Sequence, residues 1–285
     1  MTSPLMEALG GNTPVIAAEL RPPRAELDSM QGMNAWIDMY HAVRALTRGD
    51  MRVFLTDSAV GTQEENNLRH LVSNLGQDVP RARIVPFLTT KHSLEYCVTY
   101  AEQAWQHGFP ALVVLGGDKS VGRPRCVDHA WQLREEIRAR VPGLALGGWA
   151  NPQADAAAQV RYLLDPRFGG QFYLTQIVSH LNAAPVERFV HEAARQQVPI
   201  PGVFGVFYYR SANARTLETL AQFLPVPVDA LTREFGAGAT PVDVCARTLR
   251  TMMDMGARHF YVSNLPLKGA AATLGAIMEH VGVTA

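Results

Sequence analysis

Residues 108–118 read Gly-Phe-Pro-Ala-Leu-Val-Val-Leu-Gly-Gly-Asp, an apolar run that stops at two glycines and a carboxylate. A run this short and aliphatic is typical of a strand buried on both faces, as in a parallel sheet. Glycines after such a strand let a ligand approach the backbone closely. Asp118 is therefore either a functional carboxylate at a strand end or a residue that caps the following turn.

Seven further runs of this kind alternate with segments of helical periodicity. The eight predicted strands lie within residues 15–20, 51–57, 84–90, 108–115, 144–149, 171–176, 201–207 and 258–262. The predicted helices lie within residues 28–47, 65–75, 93–107, 127–140, 153–164, 186–196, 212–223, 228–235, 241–255 and 269–281.

This alternation predicts an α/β protein with a (β/α)₈ TIM barrel. Nothing in the composition divides the chain, so we expect a single domain over residues 1–285, with residues 1–14 as an N-terminal extension. An open doubly wound sheet shows the same alternation and stays the alternative, because counting strands does not reveal closure.

Composition and charge exclude several classes of function. The chain has 26 basic and 26 acidic residues, so nothing indicates a polyanionic partner such as nucleic acid. The start of the chain lacks a basic region followed by an apolar one, and no segment has about 18 consecutive apolar residues. We therefore expect a cytoplasmic protein that is not associated with a membrane.

The cysteines and histidines show no metal-binding spacing. Cys97, Cys126 and Cys245 are far apart in sequence and form no CxxC pair, which favours reduced thiols over a zinc site or a disulfide framework. The nine histidines show no HExxH motif, and those on helical segments, among them His92, are expected at the surface. We predict no metal site.

In a (β/α)₈ barrel, reactive groups lie where strands end. The polar residues at these ends are Glu19, Asp57, Thr89, Asp118, Asn151, Gln176 and Asn264. Glu19 stands inside an apolar strand, where desolvation raises the pKa of a carboxyl group toward that of a usable proton donor. Pairing with Arg21 or Arg24 in a structural role is the alternative.

Two further strand-end residues are ambiguous. Gln176 carries a donor and an acceptor, which suits the amide edge of a heterocycle, although it could equally bind neighbouring loop backbone. Asp57 suits a turn or helix cap as well as a site. No dinucleotide fingerprint, P-loop, nucleophile elbow or redox pair is present. Two acids and an amide without a nucleophile favour binding and protonation of a flat polar ligand.

Four segments in order resemble motifs of the methylenetetrahydrofolate reductase family, which the chain is similar to over about residues 15–281. They are residues 18–23 (AELRPP) against E-F-x-P-P, 114–118 (VLGGD) against A-L-R-G-D, 172–176 (FYLTQ) against the T-Q strand, and 258–264 (RHFYVSN) against H-F-Y-T-L-N. The family is a (β/α)₈ barrel, in agreement with the alternation above.

The resemblance implies a reaction and a set of roles. Glu19 would be the general acid that protonates N10 of 5,10-methylenetetrahydrofolate and opens its five-membered ring to an iminium cation. Asp118 would bind the pterin and stabilise that cation, and a hydride from NAD(P)H would complete 5-methyltetrahydrofolate. The remaining substrate contacts are expected from Gln176 and Thr89. The cofactor contacts are expected from Thr56, Asp57, Gly116 and Gly117.

Departures from the family cluster where it holds FAD. Gly116 replaces the arginine of A-L-R-G-D, Phe87 replaces a histidine, and Asp165 aligns with a lysine that meets cofactor phosphates. Loss of these contacts predicts no tightly bound flavin and direct hydride transfer in a ternary complex. The alternatives are an FAD enzyme with ping-pong kinetics and a pterin-binding or methyl-transfer accessory protein without reductase activity. The sequence leaves the oligomeric state open.

Overall fold

Eight parallel strands close into a barrel in the computed structural model, which describes residues 3–23, 29–57, 72, 79–222 and 224–283. The strands are β1 Ile16–Leu20, β2 Val53–Leu55, β3 Ile84–Thr89, β4 Ala111–Leu115, β5 Ala145–Ala150, β6 Phe172–Val178, β7 Gly202–Phe207 and β8 His259–Ser263. Each strand pairs with the next in the chain, and β8 pairs in parallel with β1. The (β/α)₈ barrel is confirmed, and the open sheet is wrong.

Helices follow the strands along the chain. The described helices are Pro4–Gly10, Ser29–Arg48, Leu94–Gln106, Ala130–Arg140, Ala156–Leu164, Ala184–Arg195, Ala214–Ala221, Val228–Gly236, Pro241–Asp254 and Ala270–Val281, with 3₁₀ turns at Arg81–Arg83, Pro166–Phe168 and His180–Asn182. The predicted helix over 65–75 lies outside the described residues apart from Val72, as do the predicted helix ends at Asp28 and Phe223. None of the described helices has the length and apolarity to cross a membrane.

Side-chain caps fix where several of these helices begin. Ser93 accepts a hydrogen bond from the Tyr96 amide, and Asp155 accepts one from the Ala158 amide. Such caps satisfy amide groups that have no partner within the first helical turn. They fix the first residues of the helices that follow β3 and β5. These residues lie near the carboxyl ends of the strands, where the sequence predicts functional side chains.

The helix Pro4–Gly10 was not predicted. Its Leu5 and Leu9 are buried and belong to the same cluster as Val15 and the barrel interior. The helix also contacts the turn before β3, so it packs against the N-terminal ends of the strands. It covers the end of the barrel opposite to the strand carboxyl ends.

Glycines make room for aromatic side chains inside the barrel. A Cβ atom on Gly205 would lie 2.4 Å from the hydroxyl oxygen of Tyr261, and one on Gly147 would lie 2.5 Å from the Phe172 ring. The Tyr261 hydroxyl donates to the Thr175 carbonyl at 2.6 Å, which fixes the ring across the barrel. Tyr261 lies two residues before Ser263 at the end of β8, so its ring lies inside the barrel just below the strand ends.

We predict that Gly205→Ala destabilises the protein by about 1 to 3 kcal/mol, because the added methyl group displaces a buried, hydrogen-bonded tyrosine. Denaturant unfolding measures the free energy of unfolding. Gly275→Ala is the matched control: it lies within the helix Ala270–Val281, and its Cβ would meet only Met51 Cε at 3.9 Å. This control should be neutral or stabilising by about 0.5 to 1 kcal/mol. Wild-type stability of Gly205→Ala would contradict the packing argument.

Candidate active site

A ring of inward-facing side chains stands at the carboxyl ends of the strands. Ala17, Phe87, Leu174 and Tyr261 belong to the buried interior cluster, and side chains two positions further along a strand face the same way. Gln176 lies at the same end of β6, at an irregularity that interrupts this alternation, and the ring formed by the rule is Glu19, Thr89, Leu115, Trp149, Phe207 and Ser263. We call it the mouth ring. Its apolar members pack on the interior cluster and form walls beside the acid and the amide.

Glu19 is the acid of the mouth ring. Its side chain is crowded by protein atoms while part of its surface stays accessible. Burial raises the pKa of Glu19 to about 7, against the opposing effects of a hydrogen bond from Ser263 and the charge of Arg21. The Ser263 hydroxyl donates to Glu19 Oε1 at 2.7 Å. Arg24 lies outside the described residues. A carboxyl group with a pKa raised this far keeps a protonated population near neutral pH, which can donate a proton.

Asp118 lies on the exposed loop after β4. Its Oδ1 accepts hydrogen bonds from the Ser120 amide at 2.8 Å, the Ser120 hydroxyl at 3.0 Å and the Val121 amide at 3.2 Å. These bonds, that of the Ser120 amide first, lower the pKa of Asp118. The contacts are those of a turn cap. Oδ2 has no hydrogen-bond partner among the residues described, so one carboxylate oxygen stays available.

Gln176 sits at an irregularity in β6, where the register with β7 shifts between Leu174 and Ile177. Its Oε1 accepts from the Ile177 amide at 2.9 Å, while the Thr175 hydroxyl accepts from the Gly205 amide at 3.1 Å. The carbonyl half of the amide is thus used by local backbone. Within the described part of the chain the NH₂ group has no partner, and it can donate two hydrogen bonds to a ligand.

Asp57 and Thr89 meet at the ends of β2 and β3. Asp57 Oδ2 accepts from the Thr89 amide at 2.7 Å and the Thr89 hydroxyl at 2.9 Å. His92 Nε2 lies 2.9 Å from the same oxygen, and only 18% of its side chain is exposed. The expectation of a surface His92 is therefore wrong. This cluster ties the first residues after β3 to the end of β2.

The residues expected to contact the cofactor form backbone hydrogen bonds or turns within the protein. The Thr56 amide donates to the Leu20 carbonyl at 3.0 Å and extends the pairing of β1 with β2. Gly116 accepts from the Thr90 hydroxyl at 2.8 Å, and Gly117 has a positive φ of 68° that favours glycine. These glycines shape the loop after β4, and the carbonyl groups of Gly116 and Gly117 accept hydrogen bonds from Thr90 and Arg125, respectively.

Arg125 covers Gly116, a contact that sequence reasoning missed. A Cβ atom on Gly116 would lie 2.9 Å from the Arg125 guanidinium carbon, and the guanidinium donates to the Gly117 carbonyl. Gly116 stands where the family has an arginine, and a different arginine, Arg125 from later in the chain, covers it. No sequence signal pointed to it, because a loop of unpredictable shape separates the two residues. The argument that Gly116 removes positive charge from this point is wrong.

Asp165 also differs from its expected place. It caps the end of the helix Ala156–Leu164 and precedes β6, so it lies on the side of the N-terminal strand ends, away from the mouth ring. Its carboxylate pairs with Arg167 at 2.6 Å. The alignment of Asp165 with a phosphate-binding lysine is therefore wrong. The sequence nevertheless has no lysine between Lys119 and Lys268.

A cleft of about 570 Å³ opens at the opposite end of the barrel, between the N-terminal helix and the starts of β7 and β8. Its ionisable residues are Tyr173, Arg258 and His259. Burial lowers the pKa of His259 to about 4, and its Nδ1 accepts from the Val15 amide at 3.1 Å. This histidine stays neutral and structural at neutral pH. We place the candidate active site at the mouth ring because the titrating acid is there.

The thiols and potential metal ligands form no further site. The Cys97 thiol forms a hydrogen bond with that of Cys126, and burial raises the pKa of both. Neither is cross-linked. In the ranges that the structure covers, no group of three or more histidine, cysteine, aspartate or glutamate side chains is placed to hold a metal ion.

Comparison with known proteins supports the fold. No family model and no curated protein matches the sequence. An uncharacterized protein from Clostridium thermocellum, described as binding two copies of 5-methyl-5,6,7,8-tetrahydrofolic acid, superposes with a TM-score of 0.70 at 14% identity, over 96% of this chain and 98% of that one. An F420-dependent secondary alcohol dehydrogenase in complex with an F420-acetone adduct superposes with a TM-score of 0.58 at 11% identity, over 95% and 99%. At such identities the likeness shows the barrel fold.

Proposed function

We propose that this protein is an oxidoreductase that reduces 5,10-methylenetetrahydrofolate to 5-methyltetrahydrofolate with a hydride from NAD(P)H. The observation that carries the proposal is Glu19, a carboxyl group at the mouth with a pKa raised to about 7. The four family motifs support the folate substrate, and so does the similarity to a barrel described as binding 5-methyl-5,6,7,8-tetrahydrofolic acid. The likeness to an F420-dependent dehydrogenase supports hydride chemistry in such a mouth.

The residues of the mouth fit the successive needs of this reaction. Glu19 donates a proton to N10, the bond from N10 to the methylene carbon breaks, and a 5-iminium cation forms. Asp118 offers Oδ2 to the pterin and stabilises the cation, while the Gln176 NH₂ donates to the ring. The apolar side chains of Leu115, Trp149 and Phe207 exclude water. NAD(P)H supplies the hydride that converts the iminium carbon to the methyl group.

Thr89 and the cofactor residues have supporting roles in this proposal. The Thr89 hydroxyl is held by Asp57, so the pair orients the rim of the substrate site. Thr56, Gly116 and Gly117 are assigned to the nicotinamide nucleotide by the family resemblance, while the Thr56 amide and the two glycine carbonyls bind neighbouring protein groups. Direct transfer is proposed because Phe87, which replaces the family's histidine, is buried in the barrel core and has no hydrogen-bond donor to offer a flavin. Near-attack distances of about 3 to 3.5 Å then require both substrates in the mouth together.

The second candidate is an FAD-containing reductase. The Arg125 guanidinium over Gly116 favours it, because it supplies a cation at the position where the family uses one for its cofactor. The two candidates differ in a property that is simple to measure, since only one carries a chromophore.

We predict that Glu19→Gln lowers kcat by at least roughly a hundredfold while folate affinity stays within a few-fold, because the amide keeps the shape but has no proton to donate. In the wild type, kcat should fall as pH rises through about 7, since the raised pKa marks loss of the protonated acid. Glu95→Gln, the same change at an exposed helix start, should leave both constants unaltered. If Glu19→Gln kept more than a tenth of wild-type kcat, Glu19 could not be the acid.

Asp118→Ala removes both the negative charge and the turn hydrogen bonds of Asp118, whereas Asp118→Asn removes only the charge. Asparagine keeps the oxygen that accepts from Ser120 and Val121, so its loop should hold. We expect both variants to weaken folate binding by about tenfold or more, because both lose the anion. Folate titration by calorimetry measures this. An asparagine variant with wild-type Kd would show that Asp118 is only a turn residue.

The absorbance spectrum and the initial-rate pattern test the hydride donor. We expect a colourless protein, activity unaffected by added FAD, and intersecting double-reciprocal lines, because a ternary complex must form. A yellow protein with FAD near one per chain and parallel lines would establish the second candidate. Folate binding without NAD(P)H oxidation would leave the accessory-protein alternative.

A further inference from the structure

Ser263 is the last residue of β8. It lies within residues 258–264, but neither the family motif nor the proposed reaction assigns it a role. We propose that Ser263 is a positioning residue for the acid: its hydroxyl holds Glu19 Oε1, so that Oε2 carries the proton delivered to the substrate. This inference rests on the proposed function for the identity of the proton acceptor. The contact itself belongs to the folded protein.

The barrel closure makes the contact rigid. Ala18 is paired with Val262, so Glu19 and Ser263 are the next residues along two hydrogen-bonded strands. The Ser263 carbonyl accepts from the Tyr208 amide at 2.9 Å. Asn264, in the left-handed conformation with φ of 65°, donates to the Tyr208 carbonyl at 3.0 Å. Backbone contacts on both sides of the Ser263 side chain therefore fix its direction.

The hydrogen bond distinguishes the two carboxyl oxygens. The Ser263 hydroxyl donates to Oε1 at 2.7 Å, and it is the sole hydrogen-bond partner of Glu19 in the described ranges. A hydroxyl has a single proton to donate. When the carboxyl group is protonated, Oε1 still accepts from Ser263, so the proton resides on Oε2. That oxygen has no competing protein partner among the described residues and is available to N10 of the substrate.

Other charged groups near Glu19 do not duplicate this role. Arg21, on the same strand end, acts on Glu19 through its charge. The charge of Glu19 acts on Tyr261 of β8, but the Tyr261 hydroxyl donates its hydrogen bond to the Thr175 carbonyl. On the β2 side, Asp57 is held by Thr89 and His92. Ser263 alone of these groups donates a hydrogen bond to the acid.

The position also departs from the motif that residues 258–264 resemble. H-F-Y-T-L-N has leucine where this chain has Ser263, and leucine has no donor. The serine is therefore a feature of this chain. Removing it leaves burial, which raises the pKa of Glu19, opposed only by the charge of Arg21.

The test is Ser263→Ala, with Ser263→Thr as the rescue and Ser211→Ala as the matched control on an exposed loop. The titration of Glu19 is read without substrate from the carboxyl infrared band that Glu19→Gln removes. We expect the midpoint for Ser263→Ala to move up by roughly half a pH unit or more, with Ser263→Thr near wild type and Ser211→Ala unchanged. The alkaline limb of the kcat profile should move by the same amount.

Turnover gives the second readout. Below the alkaline limb, kcat of Ser263→Ala should fall about three- to tenfold with KM within twofold, because the proton is no longer confined to Oε2. Unchanged thermal unfolding shows that the variant folds. An unshifted midpoint overturns the proposal, and so does a shifted midpoint with wild-type kcat at every pH below the limb. A shifted midpoint in a protein that never reduces methylenetetrahydrofolate would overturn the reductase function and the proton delivery, while the contact stands.

Discussion

Closure of the parallel barrel is the constraint on which the site depends. The pairing of β1 with β8 brings together residues from the two ends of the chain, and it sets Glu19 beside Ser263. An open sheet with the same elements would leave these strands at opposite edges, where water would solvate the carboxylate. In the closed form, burial raises the pKa of Glu19. The chemistry of the mouth is therefore a consequence of topology as much as of residue identity.

The strands and the acid could be predicted because local patterns determine them. An aliphatic run between glycines or prolines is favourable in one environment, the buried sheet. A carboxylate within such a run loses its hydration, and this desolvation costs free energy. The alternation of strands and helices then indicates the barrel. Glu19 could thus be placed at the mouth and assigned a raised pKa from its sequence neighbourhood alone. Ser263 was within reach of the same reasoning, since it follows Tyr261 by two positions and must face the same way.

Contacts that depend on loop paths could not be predicted. Arg125 lies against Gly116 across a loop that contains glycines with positive φ and is held by side-chain hydrogen bonds. His92 reaches Asp57 from another strand end, a pairing that no spacing rule encodes. Asp165 was misplaced because motif alignment ignores which end of the barrel a residue occupies. In each case a residue's partner lies across space, and single-sequence patterns report only on neighbours along the chain.

The loop after β4 is stabilised by cations that bind its carbonyl oxygens. Lys91 is 2% exposed and its Nζ donates to the Val121 and Arg123 carbonyls, each at 2.7 Å. Arg125 donates to the Gly117 carbonyl. Neutral acceptors satisfy the donors but leave the positive charges in place, and Asp118 and Asp128 are the carboxylates on the same loop. The hydrogen bonds from Ser120 lower the pKa of Asp118 most, and the charge of Lys91 adds to that lowering, so the loop holds its own carboxylate in the ionised form.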